Sequence, residues 1–111
     1  MGDHFEAEVR SINGETIVEL AGDLDARARD QLAMAWSEVV QKAAPVVLEF
    51  SRLRYMNSTG IALVVELLAR ARAARIDLHA RGLSAHYRQI FEITRLSDFI
   101  ILDDPATGAA A

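Results

Sequence analysis

Whatever chemistry this chain carries must come from oxygen and nitrogen side chains, because its 111 residues include no cysteine. Thiolate nucleophiles, thiolate zinc sites, iron–sulfur ligation and disulfide scaffolds are excluded together. His4, His79 and His86 are widely separated and form neither H-E-x-x-H nor any other metal-ligand spacing. No metal site is expected. Carboxylates pair at Asp23/Asp25 and at Asp103/Asp104, the second pair near the end of the chain. Asp25 precedes a predicted helix, where an acid caps free N–H groups and complements the dipole. The glycines form neither G-x-x-x-x-G-K-[ST] nor G-x-G-x-x-G, and no G-x-S-x-G elbow presents a serine. A hydrolase built on Ser58 with His79 or His86 would lack a base placed by sequence. No catalytic residue and no cofactor are expected.

One stretch does gather small polar groups where backbone donors converge: Asn57-Ser58-Thr59-Gly60, at the mouth of a predicted helix. The first helical turn leaves N–H groups unpaired and carries partial positive charge, so a hydroxyl there can cap and an added phosphate can be held. Two readings stand side by side. Asn57 or Ser58 is a plain N-cap, or Ser58 is a functional hydroxyl on a loop at the carboxyl end of a strand, where function collects in α/β sheets.

The elements that position this stretch follow from periodicity. Phe5, Ala7 and Val9 alternate with Glu6, Glu8 and Arg10, as in a strand with one wet face, and Asn13-Gly14 turns the chain into a second strand at Thr16 to Leu20. Ala21 to Asp25 reads as a break. Leu32, Ala35, Trp36, Val39 and Val40 form one stripe of a helix predicted from about Ala26 to Ala43. Val46 to Phe50 is a short apolar run, expected as a central strand buried on both faces. A link with Arg52 and Arg54 follows, then a second helix from Ile61 to about Ala74, buried on a broad side through Ile61, Leu63, Val64, Val65, Leu67 and Leu68. Tyr55 and Met56 before it suit a hydrophobic staple, while Arg70, Arg72 and Arg75 suit the dipole at its far end. Ile76 to Ala80 reads as a strand, and Ser84 as the cap of a third helix carrying Tyr87, Ile90, Phe91 and Thr94. Ile100 to Leu102 reads as a last strand. The order β-β-α-β-α-β-α-β implies a single α/β domain over residues 1–102, with a mixed sheet of four to five strands and covering helices. Residues 103–111 are expected to form a flexible tail.

Composition narrows the partners. Hydrophobic residues make up 51% and charged residues 25%, enough apolar content for one core. A net charge of -4 disfavours phosphate-driven nucleic-acid binding. The longest apolar run, Ile61 to Val65, is far below the ~20 residues of a membrane-spanning helix, so no membrane insertion is expected. Met1-Gly2-Asp3-His4 does not resemble a secretory signal, which predicts a cytoplasmic location.

Two separated motifs then carry a family resemblance. Val18-Glu19-Leu20-Ala21-Gly22-Asp23-Leu24-Asp25 after the hairpin, and Val46-Val47-Leu48-Glu49-Phe50-Ser51 leading to Tyr55-Met56-Asn57-Ser58-Thr59-Gly60-Ile61, resemble the STAS domain. The closer likeness is to the stand-alone anti-sigma factor antagonists of bacteria, and it extends from Phe5 to Leu102. The resemblance implies a regulatory module rather than an enzyme. Such proteins bind an anti-sigma factor that is also a serine kinase, lose that partner when phosphorylated, and regain it through a PP2C-type phosphatase. Carried over, Ser58 is the phosphorylated residue with Thr59 and Gly60 as motif neighbours. Asp23, Leu24 and Asp25 match the loop that completes the partner surface. This chain departs from the pattern at Asn57, where the family usually has aspartate; Asn keeps the capping shape and lacks the carboxylate. The resemblance also allows an alternative, a non-phosphorylated STAS adaptor or scaffold subunit such as that of a lipid-transport ATPase. Oligomeric state is left open by the sequence.

Overall fold

Asn13 and Gly14 reverse the chain because both take left-handed backbone, with φ of 52° and 80°. A two-residue hairpin needs that conformation to match the twist of its strands, and Asn and Gly reach it at least cost. Strands β1 (Glu6–Ile12) and β2 (Glu15–Leu24) accordingly pair antiparallel, with Val9 opposite Val18. The computed structural model describes residues 5–42 and 45–103. Beyond the hairpin, β3 (Val46–Met56), β4 (Leu78–Arg81) and β5 (Ile101–Leu102) add in parallel, giving a five-stranded mixed sheet in the order β1-β2-β3-β4-β5. The expected α/β architecture is present, with α1 (Arg29–Val39), α2 (Ser58–Ala73) and α3 (Ala85–Ile93) as its helices.

The core explains the choice of central strand. Val46, Val47 and Leu48 are wholly buried and Phe50 nearly so, as the apolar run required. Phe91 of α3 meets Phe50 edge to face, with ring centroids 6.1 Å apart, and Leu20, Leu24, Trp36 and Leu67 pack in the same cluster. Each such side chain contributes roughly 1.5–3 kcal/mol by leaving water.

Four expectations are corrected. Residues 21–25 are not a break: β2 continues to Leu24, and β3 likewise continues through the supposed link to Met56. The parallel ladder runs on from Ala21 opposite Arg52 to Leu24 opposite Met56, and burial of Leu24 and Met56 anchors its end, with ion pairs across the strands beside it. Arg54 donates to Asp23 through Nε and a terminal nitrogen, both at 3.1 Å, and Arg52 lies 3.8 Å from Glu19. The register of this strand pair shifts twice, between Glu19 and Ala21 and again between Gly22 and Asp23. The first helix is also shorter than expected. It opens as a 3₁₀ turn at Ala26–Ala28 and its α-helical part ends at Val39, which leaves Val40 exposed. Ala43 lies outside the described residues. Finally, the buried side of α2 is narrower than the apolar run implied: Leu63, Val64, Leu67 and Leu68 are buried, whereas Val65 is exposed.

Near the end of the described chain, Asp103 donates its N–H to the Ala80 carbonyl and sets its carboxylate 3.1 Å from His79. Residues 104–111, the rest of the expected tail, lie outside the described residues. Among those described, no helix is long and apolar enough to cross a membrane.

Candidate functional site

The Asn57-Ser58-Thr59-Gly60 turn is held from three directions. From the helix side, Asn57 has extended backbone and its Oδ1 accepts the Gly60 N–H at 2.9 Å, so Asn57 is the N-cap of α2. This resolves the open question of which residue caps. Ser58 is therefore the first helical residue, exposed, and its hydroxyl makes no hydrogen bond within the described residues. From the β2 side, the Leu24 carbonyl accepts the Asn57 N–H at 3.3 Å. That approach brings the end of β2 against the first turn of α2, and a Cβ on Gly60 would overlap the Leu24 carbonyl. Glycine is required there for space, not for unusual dihedrals.

The third support was not legible as such in the sequence. Tyr87 of α3 directs its hydroxyl to the last residue of β3, accepting the Met56 N–H at 2.9 Å and donating to the Met56 carbonyl at 3.3 Å. One phenol thereby ties down both backbone groups just before the turn. The only signal was a hydroxyl-bearing aromatic on an otherwise apolar helix stripe. Tyr87→Phe leaves the Met56 N–H unpaired and is expected to cost about 1–3 kcal/mol. Urea unfolding checks this, and hydrogen exchange should show faster exchange at Met56 and Asn57.

The sequence also singled out Asp23, Leu24 and Asp25, and the fold places them differently from one another. Leu24 is fully buried, so its side chain belongs to the core and only its carbonyl reaches the turn. Asp23 holds Arg54, as described above. Asp25 accepts from the Arg27 backbone at 3.0 Å, capping the 3₁₀ turn rather than α1 directly, and binds the Arg27 guanidinium at 2.7 and 3.1 Å. The Arg27 guanidinium, followed by the Arg27 N–H, holds the Asp25 carboxyl below its usual range. Each acid beside the turn thus carries its own arginine, and the local charge is far closer to neutral than a run of two acids suggested. Thr59 is half-buried and Tyr55 half-exposed, while Met56 is buried as a staple residue would be.

The assembled surface has an exposed hydroxyl at a helix mouth, flanked by two arginine–carboxylate pairs, on a rigid backbone frame. His79 is engaged with Asp103, and neither hydrogen-bonds to Ser58 among the described residues. No group of three potential metal ligands occurs among the described residues.

A family model described as "Mlab, STAS domain" matches residues 8–103. The provisionally named anti-sigma factor antagonist BtrV of Bordetella bronchiseptica is 31% identical over 102 residues, covering 90% of this chain and 88% of that protein. An anti-sigma-B factor antagonist of Listeria monocytogenes is 35% identical over 83 residues, 73% of this chain and 72% of that protein. Among solved structures, the anti-sigma factor antagonist SpoIIAA in its unphosphorylated form superposes with a TM-score of 0.69 at 21% identity, covering 96% of this chain and 94% of that one. Its phosphorylated form, from Bacillus, superposes with a TM-score of 0.67 at 21% identity, covering 96% and 97%. With the hairpin, the parallel strands and the capped Asn57–Gly60 turn all in the expected places, this chain belongs to the STAS-domain family, among relatives named as anti-sigma factor antagonists.

Proposed function

We propose that this protein is an anti-sigma factor antagonist that binds a kinase-type anti-sigma factor and is switched by phosphorylation of Ser58. The observation that carries the reading is the division of labour at the turn. Asn57 does the capping, so the Ser58 hydroxyl is exposed and uncommitted at a helix mouth. A phosphate there adds about -1.5 to -2 charges and three acceptor oxygens. The helix terminus accommodates it, since an anion in the first turn is favourable by roughly 0.3–1 kcal/mol. A partner that had packed against the bare hydroxyl must instead desolvate a dianion, which reverses the local complementarity. Binding is lost while the fold stays.

In this reading the partner surface comprises Ser58, Thr59, the Asp23 and Asp25 pairs, and the turn backbone fixed by Asn57, Gly60 and the Leu24 carbonyl. A PP2C-type phosphatase resets it, and the protein acts as a regulatory binding module in the cytoplasm, not as an enzyme. The adaptor alternative is less favoured, because both curated relatives described above bear the antagonist name. Incubation with Mg-ATP and the partner kinase should place one phosphate on Ser58, mapped by mass spectrometry, and none on Ser58→Ala. Phosphate found on another residue, with Ser58→Ala still modified, would refute the proposal.

A further inference from the structure

Ion pairing among the arginines is uneven. Arg10, Arg27, Arg29, Arg52, Arg54, Arg81, Arg88 and Arg95 each lie within 4.0 Å of a carboxylate. Arg70, Arg72 and Arg75 have no such partner among the described residues, and all three sit at the C-terminal end of α2. A helix C-terminus attracts cations, which accounts for basic residues there. It does not account for what two of them border. Arg72 and Arg75 rim a cleft of about 740 Å³ between the end of α2, β5 and the 3₁₀ turn at Leu96–Asp98. Its size falls within the range of small-molecule sites.

Leu68, Ala71 and Ile100 lie behind this cleft as core residues, while Ile76, Phe99 and Ile101 present apolar surface to it, the last two 56% and 51% exposed. The Arg72 guanidinium lies over the Phe99 ring, 5.5 Å from its centroid. That contact orients the fork without neutralising its charge. Two of the bordering acids are already engaged, Glu92 with Arg88 and Asp98 with Arg95. Asp77 is the remaining acid, so the uncommitted rim is net basic. Apolar surface from Ile76, Phe99 and Ile101, set in an otherwise polar lining beside two guanidiniums with no carboxylate partner among the described residues, selects a ligand with an apolar body and a planar anionic head, which Arg recognises through paired N–H donors.

We propose that this cleft binds a medium-chain carboxylate, its head group on Arg72 and Arg75 and its chain over Ile76, Phe99 and Ile101. The site is independent of the Ser58 switch. It lies fourteen residues along α2 from Ser58, about 21 Å at helical rise, so ligand and partner protein can be held at once.

The test is titration of the ¹⁵N-labelled full chain with sodium decanoate, followed by amide chemical shifts, with decanol and phosphatidylcholine vesicles containing phosphatidylglycerol as parallel arms. Saturable shifts confined to the cleft are expected, with a dissociation constant below about 1 mM. Arg72→Glu/Arg75→Glu should weaken them at least about tenfold, and Arg10→Glu should leave them unchanged. If the charge-reversed variant loses its fold by circular dichroism, Arg72→Gln/Arg75→Gln replaces it, with the same weakening expected. No saturable shift, equal binding of decanol, indifference to both pairs of substitutions, or binding to the vesicles alone would each overturn the proposal.

Discussion

Gly60→Ala is expected to destabilise the protein by about 2 kcal/mol, although alanine is the better helix former. The propensity gain is about 1 kcal/mol for an interior helical position. Against it stands a methyl group placed where the Leu24 carbonyl and side chain already lie. Overpacking typically costs about 1–3 kcal/mol, and more when the obstructing group is backbone that cannot rotate away. The steric term wins. Relief requires the end of β2 to retreat from α2, which also breaks the Asn57 to Leu24 hydrogen bond. The turn carrying Ser58 should therefore loosen together with the global loss. Urea unfolding measures the first effect and amide exchange at residues 57–61 the second. A variant as stable as the natural chain would mean that β2 and α2 approach less closely than described.

Ser58→Asp is expected to weaken binding to the anti-sigma partner at least about tenfold, while leaving stability unchanged or raised by about 0.5 kcal/mol. The two effects separate because the substitution acts on opposite sides of the same residue. Toward the protein, a carboxylate at the first helical position meets the positive end of the α2 dipole. Toward the partner, it introduces a charge that must be desolvated. Ser58→Ala should bind as the natural chain does, since Asn57 rather than Ser58 caps the helix. Calorimetric titration and thermal melts on the three proteins distinguish this switch from simple unfolding. A destabilised Ser58→Ala would instead assign Ser58 a structural role.

Much of this arrangement was legible in the residues. The Asn13-Gly14 turn, the buried run at Val46 to Phe50 and the Ser84 cap, which accepts the Tyr87 N–H at 3.2 Å, each follow from local chemistry that tertiary packing has no reason to override. The errors came where polar residues stay in strands. Asp23, Arg52 and Arg54 look like loop residues in isolation, and only the fold shows that β2 and β3 stay paired there, with Asp23 on Arg54 and Glu19 near Arg52. Such pairs are nonlocal by some thirty positions, so no window of sequence contains both partners. The site was legible in part for the same reason. Ser58 and its capping neighbour are consecutive and could be read together. The Tyr87 hydroxyl reaches Met56 across 31 positions, and the need for Gly60 depends on a carbonyl contributed by another strand. Asp23 read as a free acid because its arginine, Arg54, is assigned only by the fold, whereas Arg27 stands two positions from Asp25 and that pair was within reach of the sequence.

The most direct measurement is the affinity of the partner anti-sigma factor for this protein before and after phosphorylation of Ser58, with the fold monitored in both states. A phospho-form bound at least about a hundredfold more weakly, with an unchanged thermal midpoint and full recovery of binding after phosphatase treatment, is the predicted result. Equal affinity of the two forms, or loss of binding accompanied by unfolding, would contradict a switch built on one exposed hydroxyl at the mouth of α2.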